Sequence, residues 1–452
     1  MITVNALDDN RDPLIPSGKQ CYRYGFYGCF YSRTSGIWQT VWLEFTPKDY
    51  VQYVKYDTNA ENAQVVLTVD MVGCADLTAN ITYEGKPMGC ATMKQVSGQQ
   101  VLTVQLAEKH LWEPGAGRLY DVELTYGQDK VQSYFGLRSL RLDGFKFLIN
   151  EKSVFQRLIL DQGFYPDGIY TAPSDEALVK DIQLSLDMGF NGARPHEKIF
   201  EERYLYHCDR MGYIVWGEFP NWGLYHNKPE AIYSFLPQWL EELKRDYNHP
   251  AIVGWCPFNE TWNKFGHRQY DDLIRMAYRV TKAVDPYRPC IDASGNFHVE
   301  TDIFDVHDYD QNPVTFKEHY DKLLTDGELY DMLGSEEQKI KHPDSANRQF
   351  YTGGPTFVSE YGGIRWSAGE NDVTRQNSWG YGDDVKGVED FKYRFKGLID
   401  ALLDNHCMLG LCYTQLTDVE QEQNGLYTYD RVAKFDPEWV KSVVSRKAAI
   451  EE

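Results

Sequence analysis

The chain has 452 residues, too many for one ordinary domain and suited to one large domain with one or two smaller ones. Its 42% hydrophobic content supplies a sizeable core and excludes a disordered class. The formal net charge is −21, from 46 basic and 67 acidic residues, which repels phosphate backbones and anionic membrane surfaces and sets nucleic-acid and membrane partners aside.

Nine cysteines occur without any CxxC spacing; Cys21 and Cys29, and Cys407 and Cys412, are the nearest pairs in sequence. They read as buried free thiols in a reducing compartment, so a cytoplasmic location is expected. No apolar run reaches membrane-spanning length, and Met1-Ile2-Thr3-Val4 running into Asp8-Asp9 does not read as a signal peptide. Aromatic residues make up 14%, with 32 Tyr and 11 Trp, which suits either a large core edged by Tyr or a surface that packs on sugar rings.

Short β-rich runs come first: Val41–Phe45, Gln64–Val69, Ala79–Tyr83, Val101–Leu106 and Tyr120–Tyr126, separated by turns such as Glu84-Gly85 and Pro114-Gly115. They predict one immunoglobulin-like β-sandwich over 46–138. Beyond 139 strands alternate with amphipathic helices, the pattern of βα units. Eight strand candidates fall at 154–161, 190–196, 213–219, 252–260, 290–296, 303–309, 356–362 and 408–416. Ser174 caps a predicted helix that carries Leu178, Ile182 and Leu186 on its apolar face and ends at Gly189. Further helices are expected at 235–246 and 268–284, and 325–350 reads as a polar insertion. Eight strands in this length predict a (β/α)8 TIM barrel over 139–452; a doubly wound sheet is the alternative, but its glycine-rich phosphate loop is missing.

In such a barrel the chemistry sits at the C-terminal strand ends. There the fourth strand ends in Asn259-Glu260, and the seventh carries Glu360. A pair of facing carboxylates is what glycoside cleavage requires: one protonates the departing oxygen, the other attacks the anomeric carbon. Their mutual repulsion would keep one of them protonated. A salt bridge to a neighbouring loop would explain either Glu alone, but not the pair.

The run His249-Pro250-Ala251-Ile252-Val253-Gly254-Trp255-Cys256-Pro257-Phe258-Asn259-Glu260 resembles the acid/base segment of glycoside hydrolase family two, the β-galactosidases, β-glucuronidases and β-mannosidases. Thr356–Gly362 resembles its nucleophile segment, and Ser32–Glu44 resembles the stretch that joins its sugar-binding domain to its immunoglobulin-like domain. The resemblance implies a retaining exo-β-glycosidase, most like a β-galactosidase, with Glu260 as acid/base, Glu360 as nucleophile and Asn259 bonded to the sugar's 2-hydroxyl. It implies a carbohydrate partner and no organic cofactor. No metal is expected either, since no tight ligand spacing such as HExxH occurs. A β-glucuronidase, or a carbohydrate-binding protein without activity, is the alternative; a homo-oligomer is compatible with the sequence.

Three departures concern the sugar. Arg194 leads into Pro195-His196-Glu197 rather than Ser-His-Tyr-Pro; the segment Glu420–Gly425 has no Asn-x-Lys signature for a uronate; and Tyr413 stands where a Trp is usual. Arg365 could supply a cation for a uronate or be paired at the surface. The remaining site candidates carry alternatives. Arg194 contacts the nucleophile or forms a rim salt bridge. His196 and His307 bond sugar hydroxyls or loop carbonyls. Tyr309 bonds Glu360 or belongs to the core. Trp366 stacks on the sugar or packs a loop. Asp161 holds a hydroxyl or caps a turn, and Tyr413 and Gln415 line the eighth strand end. Residues 1–45 read as the remnant of a jelly-roll sugar-binding domain, with loose packing expected over 1–30 and firm packing from about 36, through Trp38 and Trp42.

Overall fold

A computed structural model describes residues 2–9, 11–261, 269–295, 297–330, 348–367 and 378–451. An antiparallel sheet holds β1 (Tyr50–Asn59), β2 (Gln64–Tyr83), β3 (Lys86–Gln105), β4 (Tyr120–Tyr126) and β5 (Asp129–Phe135). The runs read as separate strands at 64–69 and 79–83 are the two halves of β2. Burial alternates along each half and lapses at Val72–Cys74, where Gly73 takes a φ of 95° and the register with β3 shifts. That interruption is a bulge rather than a turn. One half of β2 pairs with β1 and the other with β4, so Tyr56 of β1 meets Phe135 of β5 across a core of its own. The strand expected at Val41–Phe45 does not form; Val41, Leu43 and Phe45 are exposed, with no neighbouring strand among the described residues to cover them.

A small sheet of β6 (Leu140–Asp143), β7 (Lys146–Ile149) and β8 (Lys152–Ser153) leads into the parallel part. There β9 (Gln156–Asp161), β10 (Gly192–Pro195), β11 (Ile214–Glu218), β12 (Ile252–Cys256), β13 (Phe304–Asp308), β14 (Thr356–Gly362) and β15 (Gly410–Thr414) form one curled sheet. Its order is β12-β11-β10-β9-β15-β14-β13. The fifth expected strand, 290–296, is not a regular strand among the described residues. Instead Cys290 and Ser294 make single parallel bridges to Trp255 and Asn259, while the Ser294 hydroxyl donates to Asp305 of β13 at 2.6 Å. The two sheet edges are thus spanned by 290–294.

The helices α1 (Asp175–Asp187), α2 (Glu202–Met211), α3 (Ile232–Asp246), α4 (Asp271–Val284), α5 (Pro313–Thr325), α6 (Val388–Leu403) and α7 (Pro437–Val444) follow the strands. In α1 the Ser174 hydroxyl accepts from the Ala177 amide at 3.3 Å, Leu178 and Ile182 are buried, and Gly189 beyond the end has a φ of 88°. The stretch expected to be an insertion lies mostly outside the described residues. Where β11 and β12 pair, a Cβ on Gly217 would meet the Trp255 ring at 2.5 Å, and one on Gly254 would meet the Trp216 ring at 2.4 Å. Trp216 stacks on Phe357 of β14, and Trp255 packs edge-on to Trp239 of α3, so the two indoles fill opposite faces of the sheet. No helix among the described residues is long and apolar enough to cross a membrane.

Candidate active site

Side chains alternate along each strand, so only every second residue at a strand end points into the mouth of the curled sheet. Glu360 does, and its side chain is only 4% exposed. Both of its oxygens accept hydrogen bonds: Oε1 from Arg194 Nη1 at 2.9 Å, Oε2 from the Tyr309 hydroxyl at 2.6 Å. Glu260 follows β12 with a φ of 45°, and its Oε1 lies 2.8 Å from His307 Nδ1. The same nitrogen is 3.5 Å from Glu360 Oε2. One ligand atom from each of Glu260, His307 and Glu360 lies within 4.8 Å of the others. The group could therefore hold a metal ion, but as built it is a hydrogen-bonded cluster. Burial alone would strip His307 of its proton; the nearby Glu360 and Glu260 outweigh it and raise its pKa.

Arg194, at the end of β10, organises this cluster. Besides Glu360 it reaches Glu218 of β11, with Nε 2.5 Å from Oε2, and the Asn259 side-chain oxygen, 2.5 Å from Nη2. Burial opposes its charge, but Glu218 and Glu360 more than compensate, so its pKa stands well above the ordinary value. Buried ion pairs are weak sources of net stability, yet losing one partner costs about 3–5 kcal/mol; Arg194 is thus a strut between two carboxylates. Asn259 is locked through its backbone by Asn221, which accepts from the Asn259 amide at 2.7 Å and donates to its carbonyl at 2.9 Å. Its side-chain nitrogen is buried without a hydrogen-bond partner. His196 has Nδ1 2.9 Å from Glu218 Oε1 and 3.8 Å from Glu360 Oε1. Burial drives its pKa well below the usual range, which favours the neutral ring, although the nearby Glu360 opposes this.

Three expected site residues lie elsewhere. The Asp161 carboxyl accepts from the Gly163 amide at 2.9 Å, which makes it a turn cap, and it faces Asp181 of α1 and Arg431. Tyr413 packs between Tyr361 and Phe395 of α6, on the helix side of β15. Trp366 packs against Phe391 and Phe435. Gln415 is buried at the end of β15, accepts from Gln162 at 2.7 Å, and leaves its nitrogen unpaired. Arg365 is held by Asp384 at 3.1 Å and by the Ser378 hydroxyl.

From Ser17 to Ser32 the segment before the antiparallel sheet covers the mouth, against the expectation of loose packing there, whereas residues 2–9 are exposed throughout. The Ser17 amide donates to the Trp222 carbonyl at 2.8 Å, the Gly28 amide to the Gln421 side chain at 2.9 Å, and the Ser32 amide to Glu420 at 2.9 Å. Gly18, with a φ of 57°, sits where a Cβ would meet the Glu197 carbonyl at 2.3 Å. Cys21 and Tyr31 are buried, whereas Tyr22, Tyr24 and Phe26 are exposed. Trp38 packs on Tyr170, but Trp42 is 60% exposed and anchors nothing. Glu218, Asn221, Lys19, Tyr31, Tyr381 and Glu422 also surround the site and were not singled out from the sequence. Only Glu218 left a signal, as a charge ending an apolar strand.

Two models of one family match the chain: glycosyl hydrolases family 2 over 48–138, and the TIM barrel domain of the same family over 146–362. Together they cover more than half of it, and the chain belongs to glycosyl hydrolase family 2. A β-glucuronidase of Paenibacillus borealis is 28% identical over 316 residues, which is 63% of this chain and 49% of that protein. A β-galactosidase of Leuconostoc mesenteroides is 26% identical over 289 residues, 57% of this chain and 27% of that protein. The chain thus spans half or less of the length of these curated relatives. A solved β-glucuronidase from an uncultured Clostridium species superposes with a TM-score of 0.69 at 19% identity, covering 88% of this chain and 69% of the other, a likeness of fold.

Proposed function

We propose that this chain is a retaining exo-β-glycosidase, most like a β-galactosidase, that works by double displacement. The observation that carries the reading is the pair Glu260 and Glu360, whose nearest carboxylate oxygens lie within 4.8 Å of one another about a shared histidine. Retaining pairs stand about 5–5.5 Å apart, while inverting pairs need about 6.5–9.5 Å to admit a water. Glu360 is the nucleophile: Arg194 and Tyr309 fix both of its oxygens and leave the carboxylate aimed by two struts. Glu260, more exposed at 13%, is the acid/base. The unpaired Asn259 nitrogen offers a donor to the sugar's 2-hydroxyl, where a bond that strengthens in the transition state lowers the barrier. His196, His307 and Gln415 are the further candidates for sugar hydroxyls.

The separate cores support a division into an immunoglobulin-like domain over 46–138 and a catalytic (β/α)8 barrel over 139–452, with the bridged segment 290–294 in the place of a fifth strand. Nine free cysteines, six of them buried, fit a cytoplasmic location. The second reading is a β-glucuronidase, favoured by the names of most relatives. A panel of nitrophenyl β-glycosides, with the anomer of the first-formed sugar followed by proton NMR, tests both. A β-anomer from a neutral hexoside is expected. An α-anomer, or binding without turnover on any substrate, would overturn the proposal.

A further inference from the structure

Lys19 and Glu422 come together from opposite ends of the chain at the rim of the site. Lys19 Nζ lies 3.6 Å from Glu422 Oε2, with both side chains almost wholly buried, and the Tyr31 hydroxyl donates to the same carboxylate oxygen. Asn424 Nδ2 donates to its other oxygen at 3.2 Å. The pair is near the catalytic carboxylates. Burial opposes the Lys19 charge, but Glu422 first, then Glu360 and Glu260 among others, raise it. Tyr381 ties the two clusters together: it stacks on Tyr309 with centroids 3.4 Å apart and senses Glu260, Glu360 and Glu422 at once. The ammonium also lies 5.5 Å from the ring centroids of Tyr31 and Trp222.

A buried cation beside a glycosidase nucleophile is the feature that would attract a uronate. Here it is already matched by a buried anion. An ammonium offers donors only, and a carboxylate offers acceptors only. Side by side they complement adjacent hydroxyls of an uncharged ring, each of which can accept from one and donate to the other. A uronate carboxylate would bring a second negative charge against Glu422 in a poorly hydrated site, where like charges repel strongly.

We propose that the Lys19–Glu422 pair determines substrate specificity: it binds adjacent hydroxyls of a neutral hexopyranoside, and Glu422 excludes uronates by holding the Lys19 charge that would welcome them. This rests on the glycosidase reading above. The quantity that tests it is the ratio of kcat/KM on nitrophenyl β-glucuronide to kcat/KM on the best neutral nitrophenyl glycoside. In Glu422→Gln the shape is kept and the Lys19 charge is set free. The neutral sugar loses a charge-assisted bond and the uronate gains one, so the ratio should rise on the order of 100-fold. In Lys19→Met Glu422 remains without its cation, and the ratio should fall by roughly tenfold or more. Glu422→Asp keeps the charge and should keep the wild-type preference for neutral sugars. General damage to the mouth would lower both rates and leave the ratio in place. The two charge variants move it in opposite directions, so either one that folds decides the matter, and an unchanged ratio overturns the inference. Wild-type protein that cleaves no glycoside defeats the glycosidase reading itself, and a wild type that prefers the glucuronide defeats the inference alone.

Discussion

Replacing Glu260 by alanine separates the two roles assigned to the carboxylates. The side chain removed meets His307 Nδ1 at 2.8 Å and opens a space about the size of an azide ion beside Glu360. A positioned general acid contributes about 10²–10⁴-fold, or roughly 3–5.5 kcal/mol of barrier. That whole factor should be lost on a phenyl β-glycoside, whose leaving group needs a proton. A dinitrophenyl glycoside needs little protonation, so its first step should slow by about tenfold or less. The second step, which needs Glu260 as base, then becomes limiting. A burst of dinitrophenol should appear, and intact mass should rise by one sugar. Azide should restore turnover by attacking the glycosyl-enzyme from the face opposite Glu360, and the product should be a β-glycosyl azide. Glu360→Ala should show no burst, no added mass and no turnover on either substrate. Stopped-flow absorbance and product NMR check all of this. An α-azide from Glu260→Ala, or equal losses on the two leaving groups, would refute the assignment.

Asn259→Ala should lower kcat/KM by roughly 10–150-fold on a full glycoside, the worth of a bond to a charged or developing centre, and far less on its 2-deoxy analogue; equal losses on both would remove Asn259 from the 2-hydroxyl. His298 is buried with Nδ1 2.7 Å from Asp292 and Nε2 3.2 Å from Asp305, and despite burial the two aspartates raise its pKa from 6.5 to about 10. A raised folded value means that its stabilisation is complete below pH 6.5 and is lost as pH climbs towards 10, so Tm should fall across that window in the wild type and fall less in His298→Asn; parallel Tm profiles would contradict this. Limited chymotrypsin digestion should cut early at the fully exposed Tyr24, at Trp42 and at Phe45, and late at Tyr31, which is fully buried; early cleavage at Tyr31 would show that the segment over the mouth is not held.

The strand that leads to Glu260 was legible because a parallel strand buried on both faces reads as an unbroken apolar run, as Ile252–Cys256 does, and the strand of Glu360 opens on the apolar Phe357-Val358. Which way each strand-end residue points was not. Tyr413 and Thr414 are neighbours, yet the Thr414 hydroxyl is 3.1 Å from Tyr309 while Tyr413 packs on α6. A one-residue change of parity likewise separates Asp161 from Gln162, which reaches Gln415. An all-apolar strand carries no polar alternation from which to set that parity. Lys19 was invisible for a different reason. Its partner Glu422 is some 400 positions away, and nothing local to either residue announces the pair. The long strands β2 and β3 were broken too early, because a glycine bulge and a turn look alike in sequence.

The exchange of two tryptophans for two glycines between β11 and β12 also bears on how this protein can change over generations. Each glycine is the socket of an indole on the adjoining strand, so neither can acquire a side chain while its tryptophan stays. Shrinking either tryptophan alone would open a hole costing about 3–5 kcal/mol, a large fraction of a domain's net stability. Enlarging either glycine or truncating either tryptophan alone therefore costs stability. The way out is a paired exchange, glycine enlarged as tryptophan is reduced. Such exchanges are available independently on the two faces, one for Gly217 with Trp255 and one for Gly254 with Trp216. Among descendants of this sequence these four sites should be inherited as two linked couples rather than as four free positions.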